Sequence, residues 1–152
     1  MASKLAAAKI ASWSGVRTVI AAAHRDGVLQ GAVDGVPGVG TVVQPRGERL
    51  SARKLWIAFA VGSEGTVVVD AGARTALVER PSSLLAAGVR GVEGRFSAGA
   101  AVEVATPDGD VFAKGIVRRD ADAVAAMAGK RSADLPDGEP EVAHRDDLVV
   151  LP

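Results

Sequence analysis

The first four residues have the types and spacing of an anion site. Ser3 is placed to cap a helix predicted over residues 3–14, and Lys4 falls in the first turn, where the helix dipole disfavours a cation. An anion bound there would turn this penalty into an attraction, because backbone amides and the ammonium would converge on it. The same residues also fit a solvated surface helix, so the pattern alone leaves both interpretations open.

Basic side chains in the second half of the sequence form another candidate site. If several converge, they make a face for RNA; otherwise they form a solvated surface interleaved with acids. Residues 53–152 hold 12 basic and 15 acidic side chains, whereas nucleic-acid binders are usually basic, so the balance favours the second interpretation. The candidates are Arg90, Arg95, Lys114, Arg118, Arg119, Lys130 and Arg131.

Residues 144–147, with the sequence HRDD, could suggest a metal site or an acid–base pair. No further ligand follows at a suitable spacing, so we interpret them as a turn before the last strand. We therefore assign no catalytic and no metal-binding residue from the sequence alone.

The composition excludes several other classes of site. The 152 residues contain no cysteine and two histidines, which rules out disulfides and thiolate chemistry and disfavours a histidine-rich metal centre. The 18 basic and 18 acidic side chains cancel, and no apolar run approaches 18 residues. We expect a cytoplasmic protein that binds no membrane, and a homo-oligomer.

Helices and strands are predicted to alternate along the first 45 residues, and these elements would position the first four. A helix over 3–14, a strand over 16–22, a helix over 26–33 and a strand over 40–43 predict parallel α/β structure. Two strands are too few for a sheet with both faces covered, so we interpret residues 1–45 as a remnant of a larger α/β domain.

The rest of the sequence predicts a second, β-rich domain. A linker at 46–51 precedes residues 52–152, which hold predicted helices at 52–60, 70–79 and 120–128 and a last strand at 148–151. Ser51, Asp70 and Asp120 are the expected helix caps. Residues 84–117 combine dense glycine with a hairpin turn at 106–109, which is typical of a small barrel. Its core would include Leu77, Met127 and the Trp56/Phe59 pair.

The sequence also resembles bacterial glutamate 5-kinases. MASKLAAAKIASWSGVRTVIA is similar to the segment that follows two glycines in that family. SARKLWIAFA, GTVVVDAGARTALVERPSSLLAAGV, VEGRFSAG, AMAGKRSADL and VAHRDDLVVL then match its C-terminal region in order and spacing. Together these stretches span essentially all 152 residues, from the first to the last strand region.

The resemblance implies a mixed α/β and β fold: a partial α/β amino-acid-kinase remnant followed by a β-rich PUA pseudo-barrel with short helices. It implies ATP- and Mg²⁺-dependent phosphorylation of the γ-carboxylate of L-glutamate, the first step of proline biosynthesis. Met1, Ala2, Ser3 and Lys4 match the nucleotide-binding segment, with Lys4 contacting phosphate.

The family's glutamate-binding residues and its glycine-rich phosphate loop are not among the matched stretches. We therefore expect the chain to be a fragment that is inactive alone. Two alternatives stay open, since PUA domains also occur in RNA-modifying enzymes: a free-standing RNA-binding module, or a structural domain that shapes oligomerisation or the response to proline.

Overall fold

The computed structural model describes residues 1–47, 49–136 and 138–151. The chain divides into two compact units, Met1–Leu55 and Trp56–Pro152, called unit 1 and unit 2 below. A helix crosses this division, so the linker predicted at 46–51 stays a prediction. The elements of unit 1 and the crossing helix are α1 (Ala2–Trp13), β1 (Thr18–Ala21), α2 (Val28–Asp34), β2 (Gly40–Val43) and α3 (Ala52–Phe59).

Helix α1 starts earlier than its composition indicates. Met1 is the N-cap, and its carbonyl oxygen accepts the amides of Lys4 and Leu5 at 3.1 and 3.2 Å. Ser3 therefore lies inside the first turn, and the prediction that its side chain caps the helix is wrong. The helix ends near Gly15, whose φ of +78° suits glycine.

The pairing of β1 with β2 also differs from the expectation. The two strands are antiparallel, with Thr18 opposite Val43, not parallel. Gly35 ends α2 in the left-handed conformation, and Gly38 follows with φ +77°, which adds a chain reversal that the alternation of elements does not reveal. Gly40 permits the close pairing, because a Cβ there would lie 2.4 Å from the Ile20 carbonyl oxygen.

The polar segment after β2 is hydrogen-bonded to the end of α1 and packs against it. The Ser12 hydroxyl donates to the Gln44 carbonyl oxygen at 2.7 Å, and the Leu50 amide donates to the Trp13 carbonyl oxygen at 3.2 Å. The Arg46 guanidinium lies 4.3 Å from the centre of the Trp13 ring. These contacts bury Trp13 within unit 1.

Unit 2 is built on a five-stranded sheet. The elements of the unit are β3 (Gly65–Val69), α4 (Ala71–Glu79), β4 (Leu84–Leu85), β5 (Val89–Gly94), β6 (Ala101–Ala105), β7 (Val111–Ile116), α5 (Ala121–Met127), β8 (Glu141–Ala143) and β9 (Leu148–Val150). The strand order of the sheet is β5-β3-β6-β7-β9. Strand β3 pairs antiparallel with β5 and parallel with β6. A short two-stranded sheet joins β4 to β8, a strand that the sequence analysis missed because it lies in a stretch rich in glycine and proline.

The predicted caps and hairpin are confirmed. Asp70 and Asp120 accept the amides of Ala73 and Ala123 at 2.8 and 2.9 Å, which fixes the starts of α4 and α5. Strands β6 and β7 form the hairpin, and Gly109 takes φ +88° in its turn.

The main hydrophobic core lies in unit 2. Its cluster runs from Val67 to Leu148 and includes Leu77 and Met127, as predicted. Trp56 is 48% exposed, so its assignment to the core is wrong; the neighbouring Ile57 is fully buried in its place. Because successive helix residues differ by about 100° around the axis, packing Ile57 turns Trp56 away.

Candidate anion and nucleic-acid sites

Met1, Ala2, Ser3 and Lys4 lie together in one exposed turn at the start of α1. The first helical hydrogen bonds are those of Lys4 and Leu5 to Met1, so the amides of Ala2 and Ser3 lie ahead of the bonded part of the helix. Within that described first turn there is no acidic residue. Lys4 therefore adds a cation at the positive end of the helix dipole, and the first turn itself supplies no carboxylate to oppose it.

This arrangement fits an anionic group such as a nucleotide phosphate, because both amides and the ammonium are donors. It does not fit a bare divalent cation. Among residues 1–47, 49–136 and 138–151, no group of three or more His, Cys, Asp or Glu side chains could hold a metal ion.

The structure does not bring the predicted basic residues into one free face. Lys114 is 9% exposed, and its ammonium donates to the Val61 carbonyl oxygen just beyond the end of α3. It therefore cannot present its charge to a nucleic acid from this position. The burial follows from its place on β7, an interior strand of the sheet, opposite Glu103 of β6.

Three of the predicted basic side chains form ion pairs with carboxylates. The guanidinium groups lie 2.7 Å (Arg90 to Asp70), 3.0 Å (Arg118 to Glu141) and 3.4 Å (Arg119 to Glu139) from carboxylate oxygens. Each acid cancels much of the field that phosphate would feel. Arg95, Lys130 and Arg131 are exposed.

A groove between α4 and the β4 region is a candidate site that the sequence analysis missed. It measures about 410 Å³, and its walls are small or apolar, with Ala73, Ala76 and Leu84 among them. Arg80 and Ser82 also line the groove and lie between the end of α4 and the start of β4. Gly88 lets the walls approach, since a Cβ there would lie 2.5 Å from the Ala73 Cβ. The run of small residues in α4 is the feature of the sequence from which this groove could have been predicted.

A second depression, of about 470 Å³, lies over β3, β5 and the β6–β7 hairpin. Arg90 lines this depression and Asp70 lines the groove, so the Arg90–Asp70 ion pair lies between the depression and the groove. In the hairpin, hydrogen bonds from the Thr106 side chain and from the backbone hold the pKa of the Asp108 carboxyl below its usual value, and the charge of Arg74 adds to this.

Residues 144–147 form the turn that the sequence predicts. Arg145–Asp147 is a single 3₁₀ turn, and His144 Nδ1 accepts the Asp146 amide at 3.2 Å. The histidine therefore acts as a local cap. Strand β9 follows directly at Leu148.

No described helix combines the length and the apolar character needed to cross a membrane.

Residues 65–138 match the PUA domain family. The whole chain is similar to curated proteins named glutamate 5-kinase. It is 45% identical to the one from Frankia casuarinae and 44% identical to that from Myxococcus xanthus, in each case over 99% of this chain and 41% of the relative. It is also 44% identical to the Mycobacterium tuberculosis H37Rv protein, over 99% of this chain and 39% of the relative. The chain thus spans about two fifths of the length of the curated relatives it matches.

Two solved structures are similar to part of this chain. A PUA domain from Aeropyrum pernix K1, in complex with tartrate, has a TM-score of 0.42 and 26% identity, covering 70% of this chain and 53% of that one. A conserved PUA domain protein from Thermoplasma acidophilum has a TM-score of 0.40 and 24% identity, covering 66% of this chain and 60% of that one.

Proposed function

We propose that this chain, which holds a PUA domain and is homologous along its length to the C-terminal part of glutamate 5-kinases, completes the ATP site of such an enzyme. The enzyme would transfer the γ-phosphoryl group of ATP to the γ-carboxylate of L-glutamate, forming glutamyl 5-phosphate and releasing ADP. The observation that carries this proposal is 45% identity over 99% of the chain, across both units.

The role of the described residues would be to bind phosphate. Phosphoryl transfer depends on positioning and on neutralising charge on the phosphate oxygens. The amides of Ala2 and Ser3 and the ammonium of Lys4 form an exposed donor set that suits this role. Bound Mg²⁺ would neutralise further phosphate charge, with none of its ligands assigned to this chain.

The chain alone would have no kinase activity, because a donor set for phosphate does not bind or orient glutamate. Fusing it to the N-terminal part of the Frankia casuarinae relative, the part outside the match, should give an enzyme that forms glutamyl phosphate. Activity of the unfused 152-residue chain would contradict the predicted inactivity. An inactive but folded fusion would argue against the kinase function.

The fusion also tests the phosphate site. Lys4→Ala should raise the KM for ATP and lower kcat, since the ammonium would contact phosphate, with Lys4→Arg restoring part of the loss. Lys9→Ala is the matched control, because Lys9 is also an exposed lysine on the same helix, five residues beyond Lys4. Equal kinetics for the two alanine variants would remove Lys4 from the site.

A second candidate function is RNA binding by the PUA domain. The α4–β4 groove favours it, because its small apolar walls and the exposed Arg80 could receive a base and a backbone phosphate. Binding of single-stranded RNA that weakens with salt, and weakens further in Arg80→Ala, would support this function. Arg95→Ala provides the control at an exposed arginine outside the groove.

A homo-oligomeric state and a cytoplasmic location are further proposals. A structural role in oligomerisation would appear as a defined oligomer of the chain in light scattering, without RNA binding or kinase activity in the fusion.

A further inference from the structure

The depression of about 470 Å³ in unit 2 lies on the face of the sheet that is turned away from the main core. Val67 and Val104 belong to the core cluster, so Thr66 and Val68, which alternate with Val67, lie on the opposite face and line the depression. We call this concavity the sheet depression. Its volume falls within the range of about 300–1,000 Å³ that is usual for ligand sites. Neither the kinase function nor RNA binding in the α4–β4 groove uses it.

The floor of the sheet depression is an apolar row that crosses four strands. Val68 lies opposite Gly91 on one side and opposite Ala105 on the other. Ala105 in turn lies opposite Val111, which is 38% exposed. Gly91 leaves the space above the row open, because a Cβ added there would meet no atom of the described residues beyond its chain neighbours within 4 Å. An apolar side chain from outside therefore has room to pack on Val68.

The strand pairing is irregular along this row. The register shifts between Val68 and Val69 in the pairing with β5, and between Val104 and Ala105 in the pairing with β7. Such bulges change the direction of neighbouring side chains and are frequent next to active sites. The extra residue in β5 is Arg90, and its guanidinium is held 2.7 Å from the Asp70 carboxylate.

Carboxylates outnumber cations around the sheet depression. Apart from the Arg90 pair, the nearby guanidinium of Arg74 also faces an acid, at 3.8 Å from Asp110. Glu93 lines the depression and is exposed, and among residues 1–47, 49–136 and 138–151 its side chain has no ion-pair or hydrogen-bond partner. Asp108 adds an exposed carboxylate in the hairpin turn. The surroundings of the depression are therefore negatively charged.

A second row, next to the apolar floor, carries two of these carboxylates' neighbours on one sheet face. Glu93 of β5 and Glu103 of β6 both lie opposite Thr66. Since neighbouring strands are about 5 Å apart, the two glutamates lie about 10 Å apart. Lys114 is opposite Glu103, but its ammonium donates to the Val61 carbonyl oxygen. Glu93 is thus the acid of this row that is open to a cation from outside.

We propose that the sheet depression binds an extended segment of another polypeptide, with an apolar side chain over Gly91 and a lysine or arginine beside Glu93. The two positions are two residues apart on one face of β5, about 7 Å, and an extended segment repeats its side chains on one face at the same interval. A second basic residue, on the other side of the apolar one, would face the hairpin turn and Asp108. The segment therefore has the pattern basic–x–apolar–x–basic.

Two observations favour this occupant over RNA or a second copy of the chain. The negative surroundings repel phosphate, on which nucleic-acid affinity depends. In this chain, basic residues four apart occur only at 49–53 and 114–118, and the first of these has a serine at its centre. The second begins in β7, which pairs with β6 and β9 and buries its lysine, so a folded second copy cannot present it.

The test measures binding of the fluorescein-labelled peptide TKTLTKT to the full chain by fluorescence anisotropy. The peptide should bind, and more weakly as salt is added. The peptide TETLTET should bind about tenfold more weakly or worse, because its charges have the same sign as those of the site. In ¹H–¹⁵N spectra of the labelled chain, the amide signals of Gly91 and Thr106 should move when TKTLTKT is added.

Single substitutions locate the charge contact. Glu93→Gln should weaken binding of TKTLTKT about two- to fivefold, as expected for one exposed ion pair. Glu79→Gln is the matched control, because Glu79 is an exposed glutamate at the end of α4 and lines neither concavity. Both side chains are exposed, so both variants should keep the far-ultraviolet circular dichroism of the wild type.

Several outcomes would overturn the proposal. Equal affinity for the two peptides would show that charge does not select the occupant, and unchanged affinity in Glu93→Gln would place the peptide elsewhere. A homodimer that Glu93→Lys dissociates would make a second copy the occupant. Single-stranded RNA that moves the Gly91 signal would make the occupant a nucleic acid. None of these measurements depends on kinase activity.

Discussion

Units 1 and 2 use similar residues but differ in how completely those residues are packed. In unit 2, the core cluster contains fully buried valines from adjacent central strands, such as Val67 and Val104. In unit 1, the strand β1 is equally apolar, yet none of its residues is fully buried. The difference shows that apolar sequence alone does not make a core; a second layer has to be present.

The strongest test of this difference is a pair of leucine truncations. Leu84 in unit 2 is 1% exposed and Leu29 in unit 1 is 81% exposed. Leu84→Ala should lower the free energy of unfolding by about 2–5 kcal/mol, because it removes packed methyl groups and leaves a cavity. Leu29→Ala should change it by less than about 0.5 kcal/mol. Urea denaturation of both variants measures the contrast, and equal losses would show that the units are packed alike.

Substituting Lys114 tests whether its hydrogen bond to the Val61 carbonyl oxygen stabilises unit 2. Lys114→Met should lower the free energy of unfolding by about 1–3 kcal/mol, since the Val61 carbonyl oxygen loses the ammonium that bonds to it. Lys130→Met, at an exposed lysine, is the control and should have little effect. A neutral result for Lys114→Met in urea denaturation would mean that this bond does not stabilise unit 2.

Removing one helix cap from each unit compares the contribution of a single capping hydrogen bond to stability. Asp70→Ala should lower the free energy of unfolding by about 1 kcal/mol, because Asp70 caps α4 with a partly buried bond of 2.8 Å. Ser51→Ala should have a smaller effect, since its bond to the Lys54 amide is exposed and 3.3 Å long. The thermal midpoints of the two variants test this order, and the reverse order would contradict it.

The smallest expected effect concerns pH. The folded pKa of Asp108 lies below its unfolded value of about 3.9, so its contribution to stability is present above that pH and is lost as the pH falls through the folded pKa. Asp108→Asn should therefore lower the thermal midpoint slightly at pH 7 and leave it unchanged near pH 2. A difference that grows towards acidic pH would have the wrong sign for this account.

The sequence predicts best the features that depend on neighbouring residues. The caps at Asp70 and Asp120 and the turn before Asp110 need only local backbone geometry, and all three are confirmed. Residue types also place the donor set at Met1–Lys4 in one turn, although Ser3 is not its cap.

Features that depend on distant contacts were not predictable. The burial of Lys114 requires Val61, which is far away in sequence, and the exposure of Trp56 depends on which face of α3 packs. The direction of β2 depends on a glycine turn between elements, not on the elements themselves. The α4–β4 groove also joins segments whose spacing no periodicity reveals.

The position of β3 between β5 and β6 has a consequence for how unit 2 folds. Strand β3 is the first strand of the unit along the chain, but its parallel partner β6 follows only after α4, β4 and β5, with Gly65 opposite Val102. The β6–β7 hairpin can form locally and early, whereas insertion of β3 beside it closes a long loop. During synthesis, β3 leaves the ribosome before any strand that it pairs with in this sheet, so its valines stay unpaired until β5 and β6 have also been made.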